Sequence, residues 1–193
     1  MNSIDLIREN LRTSEEIVLA RVADMRDYCM VAPTPRGGCH TLWILGHMAY
    51  IERQVIRDFM LGEQNPLDHW KELFDGADVS YDANQFPSFD EVLIECRTTR
   101  RTSISIINAF VESDLDRTSS RIRRGAEGFF GTYRQCLQYV ANHWFMHRGQ
   151  LADAPSRGRT GTDVVLDLYH LRAFWYSYAP ISADDPNGTM YPS

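Results

Sequence analysis

The sequence predicts an all-α protein built as a four-helix bundle with one crossover connection. Three observations predict it. Apolar residues recur at helical spacing in five segments. Two of those segments open with a capping-box pattern, Ser88-Phe-Asp-Glu91 and Thr132-Tyr-Arg-Gln135. No segment shows the alternation of apolar and polar residues that marks a half-buried strand.

Helix 1 is expected over about Ser3 to Tyr28. Ile7, Leu11, Ser14, Val18, Val22, Met25 and Cys29 follow a seven-residue repeat, with Ser14 the single polar member. The Pro and Gly of Ala32 to Cys39 then predict a loop. Helix 2 runs from near Thr41 to about Leu61 and is stopped by Gly62, with Ile44, Met48, Ile51, Val55 and Phe59 as its apolar stripe. His47 lies beside that stripe, one turn after Trp43 and next to Gly46. A glycine inside a helix costs about 1 kcal/mol relative to alanine, and close packing against a neighbour would explain it. Leu67 to Phe74 reads as a short helix inside a crossover.

Helix 3 starts at the Ser88 cap and continues to about Glu112. Its inward row is Val92, Cys96, Thr99, Ser103, Ile106 and Phe110, small and polar in the middle. That leaves either room for a site or a tight helix contact. Asp114 to Gly131 is a connection, with short extended pieces. Helix 4 spans Tyr133 to Leu151 and stops before Pro155. Ser156 to Gly161 is a turn. A further C-terminal helix runs from about Thr162 to Tyr178, with Val165, Leu168, Leu171 and Trp175 on one side. The expected organisation is one bundle domain over 1–180 and an irregular tail over 181–193.

Composition bounds the function. The chain has 193 residues and 44% hydrophobic content, enough for one domain with a real core. No apolar run approaches the ~20 residues of a membrane span, and the N-terminus lacks an apolar signal core. The net charge of −6 disfavours nucleic acid as a partner. Arg117, Arg121, Arg123 and Arg124 form the one basic cluster and read as a solvated loop. Cys29, Cys39, Cys96 and Cys136 are widely spaced and read as buried free thiols of a cytoplasmic protein.

The chemistry concentrates in helix 4. His143 and His147 stand one helical turn apart, roughly 6 Å along the axis, so their imidazoles can converge on one divalent ion. His147 falls on the buried stripe with Tyr133, Leu137, Val140, Trp144 and Leu151. Alone, the pair is weak evidence and reads more readily as two ordinary core or surface histidines; a metal needs a third ligand, and His47 on helix 2 supplies it. Asn142 and Gln150 flank the site as hydrogen-bond partners for ligand rings. Glu52 is rotated away from His47 and reads as a salt-bridge partner. His40, His69 and His170 read as surface or loop histidines. Arg148 reads as a structural ion-pair partner or, more pointedly, as an anion contact.

The stretch Thr41-Leu-Trp-Ile-Leu-Gly-His47-Met-Ala resembles the W-x-x-G-H segment of the DinB/YfiT-like superfamily. His143-Trp-Phe-Met-His147-Arg-Gly-Gln-Leu151 resembles that family's H-x-x-x-H-R-G-Q-L helix, and the resemblance extends from Ile7 to about Tyr169. It implies a DinB-like bundle with a crossover and a three-histidine site for a divalent metal at His47, His143 and His147, often with water on the open face. Three imidazoles leave one position open, as in catalytic rather than structural sites. They suit zinc or nickel first and iron or copper next. Some relatives are thiol-dependent transferases or isomerases, which implies a low-molecular-weight thiol as cofactor or substrate and an electrophilic small molecule as its partner. The alternative is a non-enzymatic stress-response, sensor or interaction bundle. The iron-dependent sulfoxide synthases, whose pattern is H-x-x-x-H-x-E, are disfavoured because Gly149 stands where the glutamate would. Relatives often form dimers, and the aromatic supply, including Trp70, Trp144, Trp175 and Tyr178, adds to the expectation of a homodimer.

Overall fold

The structure is a computed structural model that describes residues 2–75, 79–122 and 124–154. The described residues all belong to one compact unit. The expected helix over Thr162 to Tyr178, the turn before it and the tail all lie outside the described residues. The described part is helical, with no strand, only isolated bridges at Thr34–Gly37 and Thr118–Thr132. No described helix is long and apolar enough to cross a membrane.

Four long helices make the bundle. They are α1 (Ser3–Val22), α2 (Thr41–Arg53), α4 (Phe89–Asn108) and α6 (Tyr133–Asp153). Two four-residue helices, α3 (Lys71–Phe74) and α5 (Glu127–Phe130), sit in the connections. The core divides into two clusters, and these fix the topology. At one end, Val18 and Val22 of α1 pack with Leu42 to Tyr50 of α2, Phe89 to Cys96 of α4 and Leu151 of α6. At the other end, Ile4 to Leu11 pack with Val55 to Met60, Ile107 and Tyr133 to Ala141. So α1 and α6 run one way and α2 and α4 the other. The crossover between α2 and α4 is what lets two consecutive long helices be parallel.

The caps follow the sequence. Ser88 and Glu91 form a capping box on α4, as do Thr132 and Gln135 on α6. Helix 1 departs from expectation: α1 ends at Val22, and only a 3-10 turn at Arg26–Tyr28 follows. Met25 still reaches the core, so the seven-residue repeat outlasts the helix. Helix 4 of the sequence reading is α6, ending at Asp153.

Helix 2 is also different in kind. After Arg53 the chain widens into a π-helix over Gln54–Met60 before Gly62, at a φ of 74°, ends it. The Leu61 N–H reaches back five residues to the Ile56 carbonyl at 3.2 Å. A wider turn shifts the buried face by one residue, so Met60 takes the core position that the stripe assigned to Phe59. The Phe59 ring packs instead on Phe130, with centroids 5.1 Å apart.

The small polar row of α4 does not leave a vacant cavity. Arg100, absent from the expected inward row, is fully buried there. Its Nη2 lies 3.0 Å from Glu52 Oε2, and its Nη1 donates to the Leu11 carbonyl at 3.1 Å and to Ser14 Oγ at 3.4 Å. The guanidinium also stacks on the Trp144 ring at 4.0 Å. Ser14, the odd polar residue of the α1 seam, is therefore part of a buried ionic layer, and Glu52 is the salt-bridge partner its position suggested. Trp70 and Trp144 are buried within the fold and offer little surface for an interface.

Candidate metal centre

Two helices deliver three imidazoles to one point. His143 and His147 come from successive turns of α6, and His47 comes from α2, which packs beside it. One nitrogen from each ring lies within 4.8 Å of the other two, forming a three-ligand cluster among the described residues. His143 and His147 are buried, and His47 is half-buried.

Each ring is oriented by neighbours that the helical repeat places there. Trp43, one turn before His47, stacks on it with centroids 4.6 Å apart and planes within 11°. Tyr139, one turn before His143, stacks likewise at 5.5 Å and 17°. Hydrogen bonds fix which nitrogen faces the centre. A carbonyl can only accept, so His47 carries its proton on Nδ1, which donates to the Phe74 carbonyl at 2.6 Å. His147 Nδ1 donates to Gln150 Oε1 at 2.6 Å. Both residues are thus left with a bare Nε2. His147 Nε2 faces His143 Nε2 at 2.9 Å.

That last contact tests whether the residues fit a cation. Since His147 Nε2 holds a lone pair, only a proton on His143 Nε2 or a cation between the rings keeps the two nitrogens from repelling. A cation with ~2.0–2.1 Å bonds to nitrogen needs separations of about 3.3 Å in a tetrahedral shell. This lies between the 2.9 Å of the close pair and the 4.8 Å bound of the whole set, so small ring movements suffice. The donor set fits.

Electrostatics favours the neutral rings that a metal requires. Burial lowers the His147 pKa to about 4, with His47 adding to the effect and the Gln150 bond opposing it. Burial, His147, His47 and Arg100 hold His143 well below the ordinary imidazole value. Burial also lowers His47, against the Phe74 carbonyl and Asp75, which raise it.

Other expectations resolve unevenly. Gln150 is a ring partner as anticipated, but Asn142 accepts from Gln138 Nε2 at 3.0 Å instead. Arg148 is exposed, and no ion-pair partner for it occurs among the described residues, so the structural salt bridge does not form there. His69 is exposed, as expected of a loop residue, and His170 lies outside the described residues. His40 is not a surface histidine. It is fully buried, and its Nδ1 caps α2 by accepting the Trp43 N–H at 3.1 Å. Cys96 and Cys136 are buried and Cys29 and Cys39 half-buried, all free. Burial raises the Cys136 thiol to about 11, which suits core filling.

Sequence reasoning missed Phe74 and Tyr139. Tyr139 had a signal, its i,i+4 spacing to His143. Phe74 acts through its main chain, and its only signal was the glycine at 46. No curated protein matches the chain. Residues 10–151, from within α1 to Leu151 of the two-histidine helix, match the profile of the DinB superfamily, and the chain belongs to that superfamily.

Proposed function

We propose that His47, His143 and His147 bind one divalent cation, zinc or nickel before iron or copper, and that the site serves a thiol-dependent S-transfer to an electrophilic small molecule. The observation that carries the reading is the convergence of three neutral imidazoles with no fourth protein ligand in the cluster among the described residues. A cation bound with an open position acts as a Lewis acid and lowers the pKa of a water or thiol placed there.

The chain's own contribution is orientation and dryness. Trp43 and Tyr139 hold two ring planes, and Phe74 and Gln150 hold two Nδ1 protons away from the centre. Burial of His143 and His147 keeps bulk water from their rings, and His47 is the more exposed of the three.

Elemental analysis tests the cation site. One equivalent per chain is expected in wild type, with loss in His143→Ala and in His147→Ala; full occupancy in both variants would place the site elsewhere. The reaction is tested by conjugating a model electrophile with glutathione, bacillithiol or mycothiol. Metal-loaded wild type should outpace His47→Ala by at least about 10-fold, the low end for loss of a metal interaction. Equal thiol-dependent rates sink the transferase, and so does inactivity with every thiol, while the cation site stands on the elemental analysis.

A further inference from the structure

We infer that Phe74 is a positioning residue of the histidine cluster, admitted by Gly46, so that cation affinity is coupled to docking of the 67–75 stretch of the crossover on α2. The inference rests on the cation reading above.

A histidine ring stacked on Trp43 keeps its plane but can still flip and exchange its Nδ1 and Cδ2 edges. The Phe74 carbonyl removes that freedom. It selects the flip and the tautomer in which Nε2 is bare and turned to His143 and His147. The carbonyl is in turn placed by its own side chain. The Phe74 ring is fully buried and lies on Gly46, where a methyl group would overlap the ring well inside van der Waals contact. Trp70 and Phe86 flank the ring, with centroids 4.9 Å and 5.6 Å away. Further along the crossover, His40 Nε2 donates to the Ser80 carbonyl at 3.0 Å, so α2 grips the segment at two histidines seven residues apart. Glycine before the ligand histidine is thus explained by the histidine's hydrogen bond, not by α2 itself. Coupling is reciprocal: whatever tightens the crossover tightens the cation, and the cation protects the crossover.

The first measurement is long-range proton–nitrogen NMR of the cation-free wild type. His47 should appear as the Nδ1–H tautomer; the Nε2–H tautomer overturns the inference. The second is zinc affinity by chelator competition. Gly46→Ala should lose the Nδ1–H signature and bind zinc about 10–100-fold more weakly, the range seen when a partner of a ligand histidine is lost. Adding Phe74→Leu, which makes room for the methyl, should restore part of that affinity. Apo stability of each variant is read separately by urea unfolding, because a purely structural role would lower stability and leave zinc affinity of the folded protein unchanged. Wild-type affinity in Gly46→Ala, or no recovery in the double variant, overturns the inference. Should Gly46→Ala fail to fold, Phe74→Leu alone must weaken zinc binding. A wild type that binds none of zinc, nickel, iron or copper defeats the cation reading, whereas the tautomer still decides whether Phe74 orients His47.

Discussion

Arg100 and Glu52 show what a buried charge demands of its neighbours. Their closest atoms are 3.0 Å apart, yet Arg100 Nη2 and both Glu52 oxygens lack a well-aligned hydrogen bond among the described residues. Burial pulls the Arg100 pKa down, and Glu52 raises it. Removing one partner strands the other charge, so Glu52→Ala should cost about 3–5 kcal/mol. Replacing both residues by apolar ones of similar volume should cost far less, and urea unfolding of the two variants beside wild type checks the order. In the sequence Ser14 was only the odd polar member of the α1 seam, and the small α4 row read as room for a site or a tight helix contact; neither announced a buried ion pair. The arginine itself was not legible, because a long side chain at one position can fill a gap that the pattern assigns to its neighbours. His40 failed for a related reason: an imidazole that caps a helix through its own ring nitrogen looks like any loop histidine in sequence. The clustering of His47, His143 and His147 was legible because an i,i+4 pair and a histidine on an adjacent inward helix face carry a spacing and a residue type, which hydrogen bonding to main chain does not.

Among the elements, the long helices were legible from period and caps. Their ends were not, since a 3-10 turn and a π-helix keep apolar residues buried while changing the hydrogen-bond ladder. One feature of α1 escaped altogether. Arg8 Nη2 donates to the carbonyls of Ile107 and Phe110 where α4 ends. Arg21 donates to the carbonyls of Leu151, Ala152 and Ala154 where α6 ends. Arginines on one helix thus close the C-termini of two others, whose last carbonyls lack partners of their own. The last turn of α6 begins just after His147. Arg21→Ala should fray that turn, lower stability by about 1.5–3 kcal/mol, the range for hydrogen bonds to a charged group, and speed amide exchange after Leu151. Unchanged exchange there would show that α6 holds its own end.

For the molecule as a whole, the histidine cluster ties stability to pH. Burial lowers the His147 pKa from its ordinary 6.5 to about 4 on folding, so in between the unfolded chain binds a proton that the native state refuses. Its contribution is complete above the unfolded value and is lost as pH falls toward the folded one. The apo protein should therefore weaken between pH 6.5 and 4, by up to ~3 kcal/mol from this residue. The loss should be smaller in His147→Ala, and urea midpoints of the two proteins across that range decide it. The order of the helices has a different consequence, one that concerns synthesis. Because α1 lies beside α6 as well as α4, and Arg21 closes the end of α6 across 130 residues of sequence, the packing of the first helix is not complete until α6 is made. His47 likewise emerges 96 residues ahead of His143. At about 5–20 residues per second on a ribosome, that is a delay of roughly 5–20 s during which only one of the three imidazoles exists. The cluster is complete only once α6 has been made, so the cation proposed above would be taken up after that point and not by the early nascent chain.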